Sequence, residues 1–107
     1  MQPPDITDDE GFLRLQSFLL QNPTAGAVIP GTGSLRKLRW ADPRRGKGKR
    51  SGLRVLYLHL PEYGRLLLVD VYGKDEQDDL SLRDRSEFKG LIDDYRAQLA
   101  NKKEGKR

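Results

Sequence analysis

Between Gly33 and Tyr57 the chain carries nine bases, Arg36, Lys37, Arg39, Arg44, Arg45, Lys47, Lys49, Arg50 and Arg54, against a single acid, Asp42. That stretch is worth +8, and because the whole 107-residue chain sums to +4, everything else sums to −4. Cations gathered on one element are the electrostatic footprint of a phosphate-rich partner. An ordinary solvated face is the plainer explanation of a charge run. Here, however, the cations alternate with Leu35, Leu38 and Trp40, which should anchor the same segment in a core. The chemistry open to such a patch is phosphate binding and the stabilisation of negative charge that develops on a phosphate. Composition closes off other routes. With no cysteine there is no thiolate nucleophile, no disulfide framework and no thiolate metal site. With one histidine besides, no metal site or other cofactor is expected.

The elements that must carry this patch fit into one domain covering residues 1–107, long enough to bury a modest core. Charged residues make up 34% and hydrophobic ones 36%, which describes a soluble chain with a crowded, charged surface. The absence of cysteine suits a reducing cytosol, so a cytoplasmic location is expected. Met1–Asp5 shows no basic region followed by an apolar run, so no signal peptide is expected. The longest apolar run, Leu66–Val69, is far too short to span a bilayer. A pI near 9.5 points to nucleic acid or an acidic partner without choosing between them.

Thr7-Asp8-Asp9-Glu10 reads as a capping box opening a first helix, with Phe12, Leu15, Phe18 and Leu19 at helical spacing after it. Gln21-Asn22-Pro23 ends that helix, because a residue before proline is pushed out of the α region. Asn22 as N-cap and Pro23 as first residue predict a short second helix through Val28. Ile29–Gly33 is a loop, and Leu35–Trp40 a strand with Leu38 and Trp40 on one face, Lys37 and Arg39 on the other. Ala41–Gly52 is a basic, glycine-containing loop. Two more strands follow over Leu53–Leu60 and Arg65–Gly73, joined by the turn Pro61-Glu62-Tyr63-Gly64. Both are apolar on both faces, as central strands are. A last helix begins after Ser81, its N-cap, with Asp84 at the third position and a stripe of Phe88, Leu91, Ile92, Tyr95 and Leu99. Residues 101–107 read as a frayed basic tail. The fold class is thus α+β, a small antiparallel-rich sheet of three or four strands with two N-terminal helices and a C-terminal one.

This order resembles the RelE/HigB superfamily of bacterial toxins from type II toxin–antitoxin systems. The motifs that carry the likeness are Asn22-Pro23 with Gly26 and Ile29, Gly31-Thr32-Gly33, and Leu35-Arg36-Lys37-Leu38-Arg39-Trp40. They continue with Gly46-Lys47-Gly48-Lys49-Arg50, Gly52-Leu53-Arg54-Val55 with Tyr57, and Tyr72-Gly73-Lys74-Asp75-Glu76 before Asp79-Leu80-Ser81. The match runs over roughly residues 8–99 and looks closest to the HigB branch. In one respect the chain departs from it. Members of the family usually open with a β-strand, whereas only Met1–Ile6 precede the capping box here, and Pro3-Pro4 cannot sit inside a strand. Either the start of the chain is misplaced or the sheet lacks that first strand.

The resemblance implies a ribosome-dependent mRNA endoribonuclease that inhibits translation. It works without metal, by attack of an RNA 2′-hydroxyl on the adjacent phosphate, and is held inactive by a cognate antitoxin, expected to be a helix-turn-helix protein. It also implies that Lys37, Arg39, Arg54, Tyr72, Lys74 and Glu76 make up the catalytic set, with Arg54 where the family has its phosphate-contacting arginine. Arg36, Arg44, Arg45, Lys47, Lys49 and Arg50 would contact ribosomal RNA. With a single histidine, lysine, arginine or tyrosine would have to handle the protons. Two rival readings are a gyrase-inhibiting toxin of the related ParE branch and a non-catalytic basic RNA-binding module. Neither membrane nor small-molecule partners are expected.

Overall fold

A computed structural model describes residues 9–40, 53–73 and 80–105. Helix α1 covers Asp9–Gln21, strand β1 Ala27–Val28, β2 Arg36–Trp40, β3 Leu53–Leu60, β4 Arg65–Gly73 and helix α2 Leu82–Gly105. The four strands form one fully antiparallel sheet in the order β1-β2-β3-β4. The protein is α+β, with one helix against each face of the sheet.

Strand periodicity decides which face each helix covers. On β3, Val55 and Tyr57 project to one side and join Leu15 and Leu19 of α1 and Trp40 of β2 in a buried cluster, with Phe18 and Leu38 packed against it. Phe18 and the Trp40 indole meet in a tilted ring pair with centroids 5.3 Å apart. Leu56, Leu58 and Leu60 project to the other side and join Leu35, Ile92 and Leu99, with Phe88 and Tyr95 of α2 packed there. A strand apolar on both faces belongs in the middle of a sheet, and β3 is buried along almost its whole length. By contrast β4, equally apolar in sequence, is the edge strand among the described residues and only half-buried.

No second N-terminal helix forms. After α1 the Asn22 amide still donates to Phe18 O at 2.8 Å, and the Asn22 side chain donates to the same oxygen at 3.0 Å. Ala25 N then closes a turn onto Asn22 O at 3.1 Å. From there side chains of the sheet capture the backbone. The buried Tyr57 hydroxyl accepts the Gly26 N–H at 2.8 Å and donates to Pro23 O at 2.8 Å. One guanidinium nitrogen of Arg36 donates to Gly26 O at 2.6 Å and Thr24 O at 3.4 Å. A Cβ at Gly26 would lie 2.9 Å from the Tyr57 ring, so only glycine lets the chain pass this close. Polar groups that a helix would have paired internally are satisfied by β2 and β3 instead, and Ala27–Val28 pairs with Lys37 and Arg36 as β1.

Other expected elements hold with small changes. Ser81 caps α2, its hydroxyl accepting the Asp84 amide at 3.0 Å. Helix α2 continues through residues 101–105 of what reads as a tail. Leu91 of its expected apolar stripe is 66% exposed. Arg96 ties α2 to the turn between β3 and β4 and to the loop before β2, donating to Glu62 Oε2 at 3.1 Å and Gly33 O at 3.4 Å. Thr7 of the capping box and the stretch where a strand before α1 would stand lie outside the described residues.

Candidate nucleic-acid interface

The cations that matter geometrically are those brought onto the α2 face of the sheet. Leu35 of the α2-side cluster precedes Lys37 and Arg39 by two and four residues, so all three project to that side of β2. On β3 the even positions do the same, placing Arg54 beyond Leu56 and Leu58. Pairing then aligns these positions in rows. Arg39 stands opposite Arg54, and Arg54 opposite Tyr72. One step along the strands, Lys37 stands opposite Leu56, and Leu56 opposite Asp70. With strands about 4.8 Å apart, each row spans roughly 10 Å between its outer Cα atoms.

Two features of this patch run against local rules. Like charges directly opposite across a β-ladder are destabilising, yet Arg39 and Arg54 face each other, with Lys37 diagonal to Arg54. Arg54 is moreover only 7% exposed, on the face that also carries the buried Leu56 and Leu58. A guanidinium confined in this way has few rotamers open to it, so its position is fixed by its surroundings. Such a surface can hold a phosphate against fixed charge, with a phenol from Tyr72 on the other side of Arg54.

Not every cation read from the sequence joins this patch. Arg36 points to the opposite side, its guanidinium bonded to the 24–26 turn. Lys74, Glu76, Arg44, Arg45, Lys47, Lys49 and Arg50 lie outside the described residues. Trp40 is core, packed on Phe18, and among the described residues its buried Nε1–H has no acceptor. His59 lies on the α1 side in a cleft of about 150 Å³ with Leu20, Pro23, Pro61, Gly64, Arg65 and Leu66, away from the cationic row.

Sequence reasoning missed Asp70, an exposed carboxylate on the cationic face. Counting back two residues from Tyr72 would have found it, but the apolar run Leu66–Val69 hides the alternation. The reason is a β-bulge. Tyr57 pairs with Leu68 and Leu56 with Asp70, leaving Val69 as the extra residue. Among the described residues no three His, Cys, Asp or Glu side chains group closely enough to hold a metal ion, and no helix is long and apolar enough to cross a membrane. No protein-family model matches the chain.

Proposed function

We propose that this chain is the toxin of a type II toxin–antitoxin pair, of the RelE/HigB kind, and that it cuts mRNA on the ribosome by attack of an RNA 2′-hydroxyl on the neighbouring phosphate. The observation that supports this most directly is the row Arg39–Arg54–Tyr72, two guanidiniums and a phenol brought side by side by strand pairing. In that reaction no protein nucleophile is needed. The protein must bend the RNA into line, neutralise the phosphorane, and move two protons. Arg54, confined and central, is the group to meet the scissile phosphate. Lys37 and Arg39 flank it and hold the RNA backbone, and the Tyr72 hydroxyl stands on its far side. Fixed charge aimed at a developing oxyanion is commonly the largest single catalytic term. Lys74 and Glu76 enter the set through the family motif alone, as do the ribosomal contacts of the basic loop. A cytoplasmic protein with this activity must be held in check, so a tight complex with an antitoxin belongs to the same proposal.

The test begins with induction of the chain alone in bacteria, where growth should stop and transcripts should be cut inside translated codons. Arg54→Ala should then lower the cleavage rate by about 100- to 1000-fold while changing ribosome affinity far less, because its charge is needed chiefly in the transition state. Intact transcripts together with a DNA-damage response would replace this reading with gyrase inhibition. Growth without any defect would leave a non-catalytic RNA-binding module.

A further inference from the structure

We infer that Asp70 is the general base of this site, taking the proton from the attacking 2′-hydroxyl; the inference rests on the endonuclease reading above. Its basis is geometric. Ladder pairing sets Lys37 and Asp70 at the two ends of one row, on either side of Leu56, roughly 10 Å apart at Cα. The neighbouring row carries Arg54, diagonal to both. A phosphate held by Arg54 would therefore have a carboxylate on its β4 side and an ammonium on its β2 side. In-line displacement at phosphorus needs this polarity, a proton acceptor behind the attacking oxygen and a donor behind the leaving one.

Asp70 is also chemically free for the task. Among the described residues its carboxylate accepts one hydrogen bond, from the N–H of its own neighbour Val71 at 2.8 Å, and has no cation within ion-pair distance. A carboxylate is an acceptor with lone pairs to take up a proton, which a lysine ammonium or an arginine guanidinium, donors only, cannot do. In the step itself the 2′-hydroxyl proton passes to an Asp70 oxygen as the 2′-oxygen bonds to phosphorus. The bond from phosphorus to the 5′-oxygen breaks, and that oxygen takes a proton from the Lys37 ammonium. The products are a 2′,3′-cyclic phosphate and a 5′-hydroxyl, and solvent restores both side chains to their starting charge. The bulge at Val69 serves this arrangement by adding local twist beside Asp70 on β4, the edge strand among the described residues.

A base and a bystander acid predict opposite signs when the charge is removed. Asp70→Asn deletes a negative charge from a cationic patch, so a bystander would release tighter RNA binding and equal or faster cleavage. For a general base, single-turnover cleavage on programmed ribosomes should fall about 100-fold or more, while binding to an mRNA with a 2′-deoxy nucleotide at the cleavage position stays equal or tightens. Asp70→Glu, which keeps the carboxylate, should recover much of the rate. Asp70 is exposed, so matched melting curves for all three proteins are expected. Cleavage by Asp70→Asn at the wild-type rate or above, with Arg54→Ala still crippled, overturns the assignment and leaves the endonuclease intact. A wild-type protein that cuts no mRNA overturns both.

Discussion

Replacing Tyr57 by phenylalanine tests how the turn between α1 and β1 is held. The ring is fully buried against Leu15, Leu19 and Val55, and phenylalanine fills the same space, so no cavity opens. Only the hydroxyl is lost, and with it two bonds of 2.8 Å, one from the Gly26 N–H and one to Pro23 O. The Gly26 amide is buried by the same ring, whose Cε1 a Cβ there would approach to 2.9 Å, and water cannot replace the phenol. A buried donor left without an acceptor costs about 1–3 kcal/mol. Pro23 O is only partly buried and can turn to water, adding roughly 0.5–1 kcal/mol. The expected loss is therefore about 2–3 kcal/mol, a large share of the 5–15 kcal/mol typical of a domain. Urea unfolding should show a lower midpoint at unchanged slope, and the melting temperature should fall by roughly 10–20 °C. Hydrogen exchange gives the local readout, since the Gly26 amide should lose protection before the β3 amides do. A loss below about 0.5 kcal/mol, against the scale of one buried hydrogen bond, would refute the claim that this hydroxyl replaces helical pairing.

Ser81→Ala should cost about 1 kcal/mol by removing the cap on the Asp84 amide, read as a lower urea midpoint; Ser81→Asp should restore it. Arg96→Ala should loosen α2 from the sheet by deleting the bonds to Glu62 and Gly33 O. Because Arg96 is partly exposed, the loss should stay near 1 kcal/mol and be measurable as faster exchange of the α2 amides. Gly33→Ala should cost more than either, since φ is +78° and the new Cβ would press to 3.3 Å from Ile92; a neutral result by thermal melting would contradict the described packing.

How the sheet was read from sequence and how it stands differ instructively. The bounds of β3 and β4 were legible because Leu53–Leu60 and Arg65–Gly73 are apolar runs interrupted by Pro61 and Gly64, and Gly64 indeed takes φ +64°. The alternation of β2 was equally plain, and it put Lys37 and Arg39 on the face opposite Leu38 and Trp40. The same alternation sends Arg36 to the far face, where it braces a turn, but that Lys37 and Arg39 join Arg54 was not visible along the chain. Which of several adjacent charges share a surface depends on the partner strand.

The sequence by itself determined the α+β class, the positions of β2, β3 and β4 and the first and last helices, because periodicity, caps and breakers act over a few residues. Tertiary structure alone decided that residues 22–28 make a turn and a short strand, since their hydrogen-bonding partners, Arg36 and Tyr57, arrive from later strands. It alone set Arg39 opposite Arg54, and through the bulge at Val69 it brought Asp70 and Tyr72 onto their face. Register and bulges arise from pairing across the sheet, and local propensity does not encode them.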